Sequence, residues 1–210
     1  MKKLASTLPN MVIALVMVTV VAGALLGGMY SITKEPIARQ AQMAQIKAIQ
    51  EVAPPFDNNP EADADTVTTA SKMQCVIYPA YLKGKLQGAA VKATTNEGFN
   101  GEVVIMVGFE ADGTVRDFRV LQQAETPGLG AKMADWFRDP KNDRSIISKN
   151  PGQVSFYVKQ DAAKHGQIDG ITAATISSRA FPVYCGTALR NMGVQPVLDA
   201  KSHEQVETDI

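Results

Sequence analysis

The sequence is poor in the residues that build metal and cluster sites. Its 210 residues include two cysteines, Cys75 and Cys185, and two histidines, His165 and His203. No C-x-x-C pair occurs, so neither a zinc nor an iron–sulfur site is expected from this chain by itself. Cys75 and Cys185 lie far apart. They read either as two buried thiols or as a disulfide formed in an oxidising compartment. Net charge is also missing, because 21 Lys and Arg offset 21 Asp and Glu. Without a basic field or an RNA- or DNA-reading motif, no nucleic-acid partner is expected. There is no G-x-G-x-x-G dinucleotide fingerprint and no P-loop lysine. Hydrophobic residues at 45% and charged residues at 20% sit near globular averages, so composition does not suggest a disordered chain. The length suits one domain and an anchor.

One long uncharged run is present. Met11 to Tyr30 reads MVIALVMVTVVAGALLGGMY, long enough to cross the hydrocarbon core as a helix that satisfies its own backbone. Ala22, Gly23, Ala24, Gly27 and Gly28 place small residues at the spacing used for close helix approach. The competing reading is a cleaved signal peptide that starts at Lys2 and Lys3, with an A-x-A-like site at Ala22–Ala24. Its apolar core would exceed the usual ~7–15 residues. Lys2 and Lys3 before the run balance Lys34 and Arg39 after it, so charge does not set the orientation.

The chain then divides by pattern. Residues 1–10 form an N-terminal tail, and 11–32 a transmembrane helix. Residues 33–55 read as a juxtamembrane amphipathic helix, opened by Pro36, with Met43, Ile46, Ile49 and Val52 on its apolar face. The acidic stretch 56–70 reads as a linker. A folded domain is expected over 71–198 and a flexible tail over 199–210. Strands are expected at Cys75–Tyr78, Gly88–Thr95, Glu102–Phe109, Thr114–Leu121 and Val154–Val158. The turn Ala111-Asp112-Gly113 makes a hairpin of the third and fourth. Helices are expected at Ala131–Asp139 and Ser177–Met192, the latter stopped by Gly193. Strands and single helices without regular alternation indicate an α+β fold.

Two segments carry the chemistry. In Asp169-Gly170-Ile171-Thr172-Ala173-Ala174-Thr175-Ile176-Ser177-Ser178, hydroxyls and small residues stand just ahead of a predicted helix. Free N–H groups and a positive dipole end suit a phosphate there, and Thr175 offers a covalent anchor. Taken alone, Ser177 and Ser178 read equally well as helix caps. In Glu125-Thr126-Pro127-Gly128-Leu129-Gly130, Pro127 and the glycines demand a tight turn. Gly128 and Gly130 let a planar ligand approach the backbone, although a plain connecting turn has the same composition.

Together these motifs closely resemble the flavin-carrying G subunit of the Rnf complex and the C subunit of the sodium-pumping NADH:quinone reductase. The resemblance extends to the single span, to Lys34-Glu35-Pro36-Ile37-Ala38, to Gly98-Phe99-Asn100-Gly101, to ETPGLG, and to the D-x-x-T-x-A-T-x-S pattern. It implies an FMN-binding domain with an antiparallel sheet and flanking helices. FMN would be held covalently, as a phosphoester of Thr175. Asp169, Thr172, Ala173, Ala174, Glu125, Thr126, Gly128, Leu129 and Gly130 would surround it. Leu129 would pack on the ring, and Thr126 or backbone groups would meet its polar edge. Glu125 would either tune the potential or cap the following helix. Ala173 departs from the glycine usual at its position. The resemblance further implies a redox subunit that is not a stand-alone catalyst, working beside a second covalent-flavin subunit and iron–sulfur subunits. A flavin transferase would load it. The complex would couple ferredoxin/NAD electron transfer to sodium or proton translocation in the bacterial inner membrane, with the flavin domain on the extracytoplasmic side. The compact length favours the Rnf subunit over that of the quinone reductase. A membrane-anchored binding module without redox chemistry is the alternative of a different class.

Overall fold

The structure is a computed structural model that describes residues 7–68, 74–159 and 165–183. It opens with helix α1, Leu8–Val52. Five strands follow: β1 Asp65–Thr68, β2 Gln74–Leu82, β3 Lys85–Gly98, β4 Gly101–Glu110 and β5 Val115–Gln122. They pair antiparallel in sequence order, a simple meander. After β5 come a 3-10 turn at Gly130–Lys132, the short helix α2 at Met133–Trp136, and helix α3 at Thr175–Val183. The architecture is the expected α+β. The chain separates into two units, residues 1–44 and 45–210.

In the first unit, α1 is long and apolar enough to cross a membrane. Its Leu15, Leu25 and Leu26 side chains are exposed, as a lipid-facing helix requires. The hydroxyls of Thr19, Ser31 and Thr33 donate to carbonyls one turn back at 2.8–2.9 Å, so they carry no unmet polar group into an apolar setting. Pro36 lies inside α1 and does not open a second helix. It removes one helical hydrogen bond, and the formed turns on both sides carry the helix through that gap.

In the second unit, both faces of the sheet are covered. On one face Ile77, Val91, Ile105, Val107, Phe109 and Phe118 meet Met133, Phe137, Ile146, Phe156, Ile168 and Phe181. On the other, Tyr78, Ala80, Ala90 and Met106 meet Ala48, Ile49, Val52 and Ala53 from the end of α1 and the residue after it. Strand β4 therefore buries every residue from Val103 to Phe109, which is why its sequence is an unbroken apolar run and does not alternate. Ile49 and Val52 are buried as their spacing predicts. Ala48 joins them, Ile46 is half-buried, and Met43 is exposed.

Several elements differ from the sequence pattern. The hairpin joining β2 and β3 turns on Lys83 and Gly84, at φ 53° and 76°, so both strands run longer than their apolar stretches. Part of the acidic segment is not a linker, because Asp65–Thr68 pairs with Gln74–Ile77 as strand β1. Asp57 also receives the Lys83 N–H at 2.8 Å. Val154–Val158 forms no strand and contributes a single bridge from Val158 to Ile168. Pro151 and Gly152, just before it, set a turn there instead. The helix expected over Ala131–Asp139 shrinks to the 3-10 turn and α2. Helix α3 starts at Thr175, two residues before the expected Ser177. Its continuation to Met192, the stop at Gly193, Cys185 and the tail lie outside the described residues.

Candidate functional site

Two turns and one helix start converge on a cavity. The first turn is Thr126–Leu129, closed by the Leu129 N–H donating to the Thr126 carbonyl at 3.1 Å. Pro127 occupies its second position and Gly128, at φ 79°, its third, which is the residue order of a type II turn. The second is Ile171–Ala174, closed by the Ala174 N–H on the Ile171 carbonyl at 3.0 Å. Ala173 holds the third position at φ 62°, a left-handed backbone that favours glycine. The departure noted in the sequence therefore falls at a position where glycine fits without strain.

Helix α3 begins directly after this second turn. Ala174 is its N-cap residue and has no side-chain oxygen to offer, so the N–H groups of Thr175, Ile176 and Ser177 have no partner within the helix. The sequence reading of Ser177 and Ser178 as caps does not hold, because both sit inside the first turns. Ser178 Oγ donates to the Ala174 carbonyl at 2.8 Å and accepts the Ile171 N–H at 2.7 Å, which ties the turn to the helix. Ser177 Oγ donates to Glu125 Oε2 at 2.5 Å. The helix body is held by Phe181, which stacks on Phe137 at 4.7 Å and meets Phe118 edge-on at 4.9 Å.

The cavity has a volume of about 320 Å³ and is lined by Phe99, Glu125, Thr126, Leu129, Gly130, Ala173, Ala174, Thr175, Ile176 and Ser177. Phe99, Leu129 and Ile176 expose 61%, 38% and 49% of their surfaces, which supplies an apolar rim for a flat ring. Thr175 is half-buried on its wall. Glu125 is buried. It caps neither the 3-10 turn nor α2, since neither has a side-chain cap. It reaches instead across 52 residues to α3.

Of the ten residues singled out from sequence, seven line the cavity: Glu125, Thr126, Leu129, Gly130, Ala173, Ala174 and Thr175. Gly128 shapes the turn. Thr172 is exposed and lies off the cavity wall. Asp169 also lies outside the lining. Its carboxylate faces Lys159 at 3.6 Å, and its carbonyl accepts the Trp136 indole N–H at 2.8 Å. Sequence reasoning missed Phe99, Ile176 and Ser177 as wall residues. Phe99 carried a signal, an apolar residue held at a two-residue hairpin tip between Gly98 and Gly101.

The cavity suits a group with a phosphate and a planar ring. N–H groups without a partner inside the helix stand at the start of α3, small side chains at Ala173 and Ala174 leave room for the phosphate, and apolar side chains flank the opening. Comparison with known families agrees. Residues 98–189 match the FMN-binding domain family, so the chain carries an FMN-binding domain of α+β fold. Residues 1–52 match the RnfG N-terminal region. The chain is 32% identical over 185 residues to the G subunit of the ion-translocating oxidoreductase complex of Aliivibrio fischeri, covering 83% of this chain and 85% of that one. It is 32% identical over 160 residues to the Vibrio cholerae protein of that name, covering 72% and 74%. It is 33% identical over 158 residues to the Cereibacter sphaeroides one, covering 70% and 67%. The chain belongs to this family, the G subunits of the Rnf ion-translocating oxidoreductase complex, and α1, the one helix among the described residues long and apolar enough to cross a membrane, suits a membrane anchor.

Proposed function

We propose that the chain is an electron-transfer subunit carrying FMN as a phosphoester of Thr175. The observation that carries this reading is the state of the hydroxyls around the cavity. Ser177 and Ser178 are buried and committed to Glu125 and to the Ile171–Ala174 turn. Thr172 lies off the cavity wall. Thr126 also lines the cavity but belongs to the 126–129 turn, whereas Thr175 stands on the wall at the start of α3, and among the described residues its hydroxyl makes no hydrogen bond.

When bound, FMN supplies one-electron redox chemistry. The chain supplies placement. N–H groups of Thr175, Ile176 and Ser177 would hold the phosphate. Leu129, Phe99 and Ile176 would shield the ring from water, and Thr126 would meet its polar edge. In loading, Thr175 Oγ1 bonds to the phosphorus of the FMN half of FAD. The pyrophosphate bond breaks, AMP leaves, and the hydroxyl proton passes to a base on a separate flavin transferase. Among the described residues no group of His, Cys, Asp and Glu could hold a metal, so partner subunits, including a second covalent-flavin subunit and iron–sulfur subunits, would deliver and remove electrons. The complex would couple ferredoxin/NAD electron transfer to sodium or proton movement across the bacterial inner membrane, with this domain on the extracytoplasmic side. The span has no charged residue, so the ion path would lie in other subunits.

The test is a denaturing gel of the full chain coexpressed with a flavin transferase. The wild-type band should fluoresce, Thr175→Ala should be dark, and Thr175→Ser should retain part of the signal. A fluorescent Thr175→Ala band would sink the assignment. Flavin released on denaturation would mean non-covalent binding, and a colourless protein would mean a binding module without redox chemistry.

A further inference from the structure

Among the described residues, Glu125 is the only acidic or basic side chain that is buried, with 5% of its surface exposed. Burying a carboxylate is costly unless it is paired, and among the described residues Glu125 stands in no salt bridge. It accepts the Ser177 hydroxyl at 2.5 Å and the Asn100 N–H at 3.3 Å. The structure makes room for it on two sides. A Cβ at Gly98 would lie 2.6 Å from Oε1, and one at Gly130 would lie 2.7 Å from Oε2. Ser177 occupies the third position of α3, so the carboxylate also faces the positive end of that helix. Three segments thus converge on one charge: the β3–β4 hairpin tip, the 125–130 loop and the start of α3. That charge lies on the wall of the cavity. A hydroxyl and an amide N–H alone would serve to hold these segments together with a neutral acceptor. The geometry places a carboxyl group on the wall of a cavity assigned to a redox cofactor.

We infer that Glu125 sets the reduction potential of the flavin. As a carboxylate it sets a negative charge against a group that gains an electron, which disfavours the reduced state and lowers the potential. Ser177 and the start of α3 moderate that charge without neutralising it. The inference rests on the flavin occupying this cavity.

Two substitutions in the full chain, loaded by the transferase and titrated spectroelectrochemically, separate this role from a structural one. Glu125→Gln keeps the size and an acceptor for Ser177 but removes the charge. Its potential should rise by at least a tenfold change in the one-electron equilibrium, ~59 mV. Ser177→Ala keeps the charge and removes its main hydrogen-bond donor, so its potential should fall. A loosened cavity would move both variants the same way, and that result, or an unchanged potential in Glu125→Gln, overturns the inference. If Glu125→Gln takes up no flavin, Ser177→Ala decides alone, and the absence of a fall overturns it. A wild-type chain without bound flavin refutes the function itself and takes this inference with it. A loaded wild type with unmoved variants refutes only the role of Glu125.

Discussion

Ala173→Gly should stabilise this protein. Ala173 lies at φ 62° in the turn that leads into α3. A left-handed backbone costs a residue with a Cβ roughly 1–2 kcal/mol. Glycine removes that cost but loses roughly 0.4–1 kcal/mol through its freer unfolded chain. The methyl group is exposed, so its removal forfeits almost no buried surface. The difference favours glycine by roughly 0.5–1 kcal/mol, which raises the melting temperature by roughly 1–4 °C for a chain of this size. Trp136 is the single tryptophan, and its indole bonds to the Asp169 carbonyl and lies under the Arg144 guanidinium. Its fluorescence therefore reports unfolding of the segment that carries the turn. Melting curves of the full chain in detergent should place Ala173→Gly above wild type and Ala173→Val well below it, since a β-branched residue tolerates this backbone worst. Ala173→Gly below wild type, or Ala173→Val equal to it, would refute the assigned backbone and the strain argument together.

Two further outcomes follow from the folded domain. Burial pushes the Cys75 thiol up to about 11, so at pH 8 only about one molecule in a thousand carries the thiolate; iodoacetamide followed by peptide mass spectrometry should find Cys75 unlabelled until urea is added, and labelling at the denatured rate would contradict its burial. The Arg119 guanidinium, bonded to Glu51 at 2.6 Å, holds the Glu51 carboxyl below its usual 4.5. A lowered carboxyl contributes stability above its unfolded value and loses it as pH falls through the folded one. The melting temperature of wild type should therefore drop more steeply below pH 4.5 than that of Arg119→Met, and parallel acid profiles would exclude the contribution.

Much of the fold was legible because its signals are local. The uncharged run announced α1, and the turn Ala111-Asp112-Gly113 announced the β4–β5 hairpin. Strand β1 was not legible, because Asp65–Thr68 is polar and acquires its partners only from β2. Val154–Val158 misled for the opposite reason: its residues favour strands, yet among the described residues no neighbouring strand pairs along them. The same division runs through the site. The turn at Pro127–Gly128 is written in residue types that set backbone angles, and Thr175 stood out through the motif around it. Ser177 and Ser178 looked like caps because capping is a local habit of serine. Their actual partners, Glu125 and the Ile171–Ala174 turn, follow from where α3 begins.

The long apolar helix, the strand-rich domain behind it and the two segments that line the cavity were all readable along the chain, since apolar runs, turn residues and motif spacing act over a few neighbours. It took the folded chain to give Ala173 its left-handed backbone, to bring Phe99 to the cavity rim, and to bury Glu125 against a helix 52 residues away. Those facts depend on packing between distant segments, where burial and hydrogen bonding are set by the whole sheet and not by any residue's neighbours in the chain.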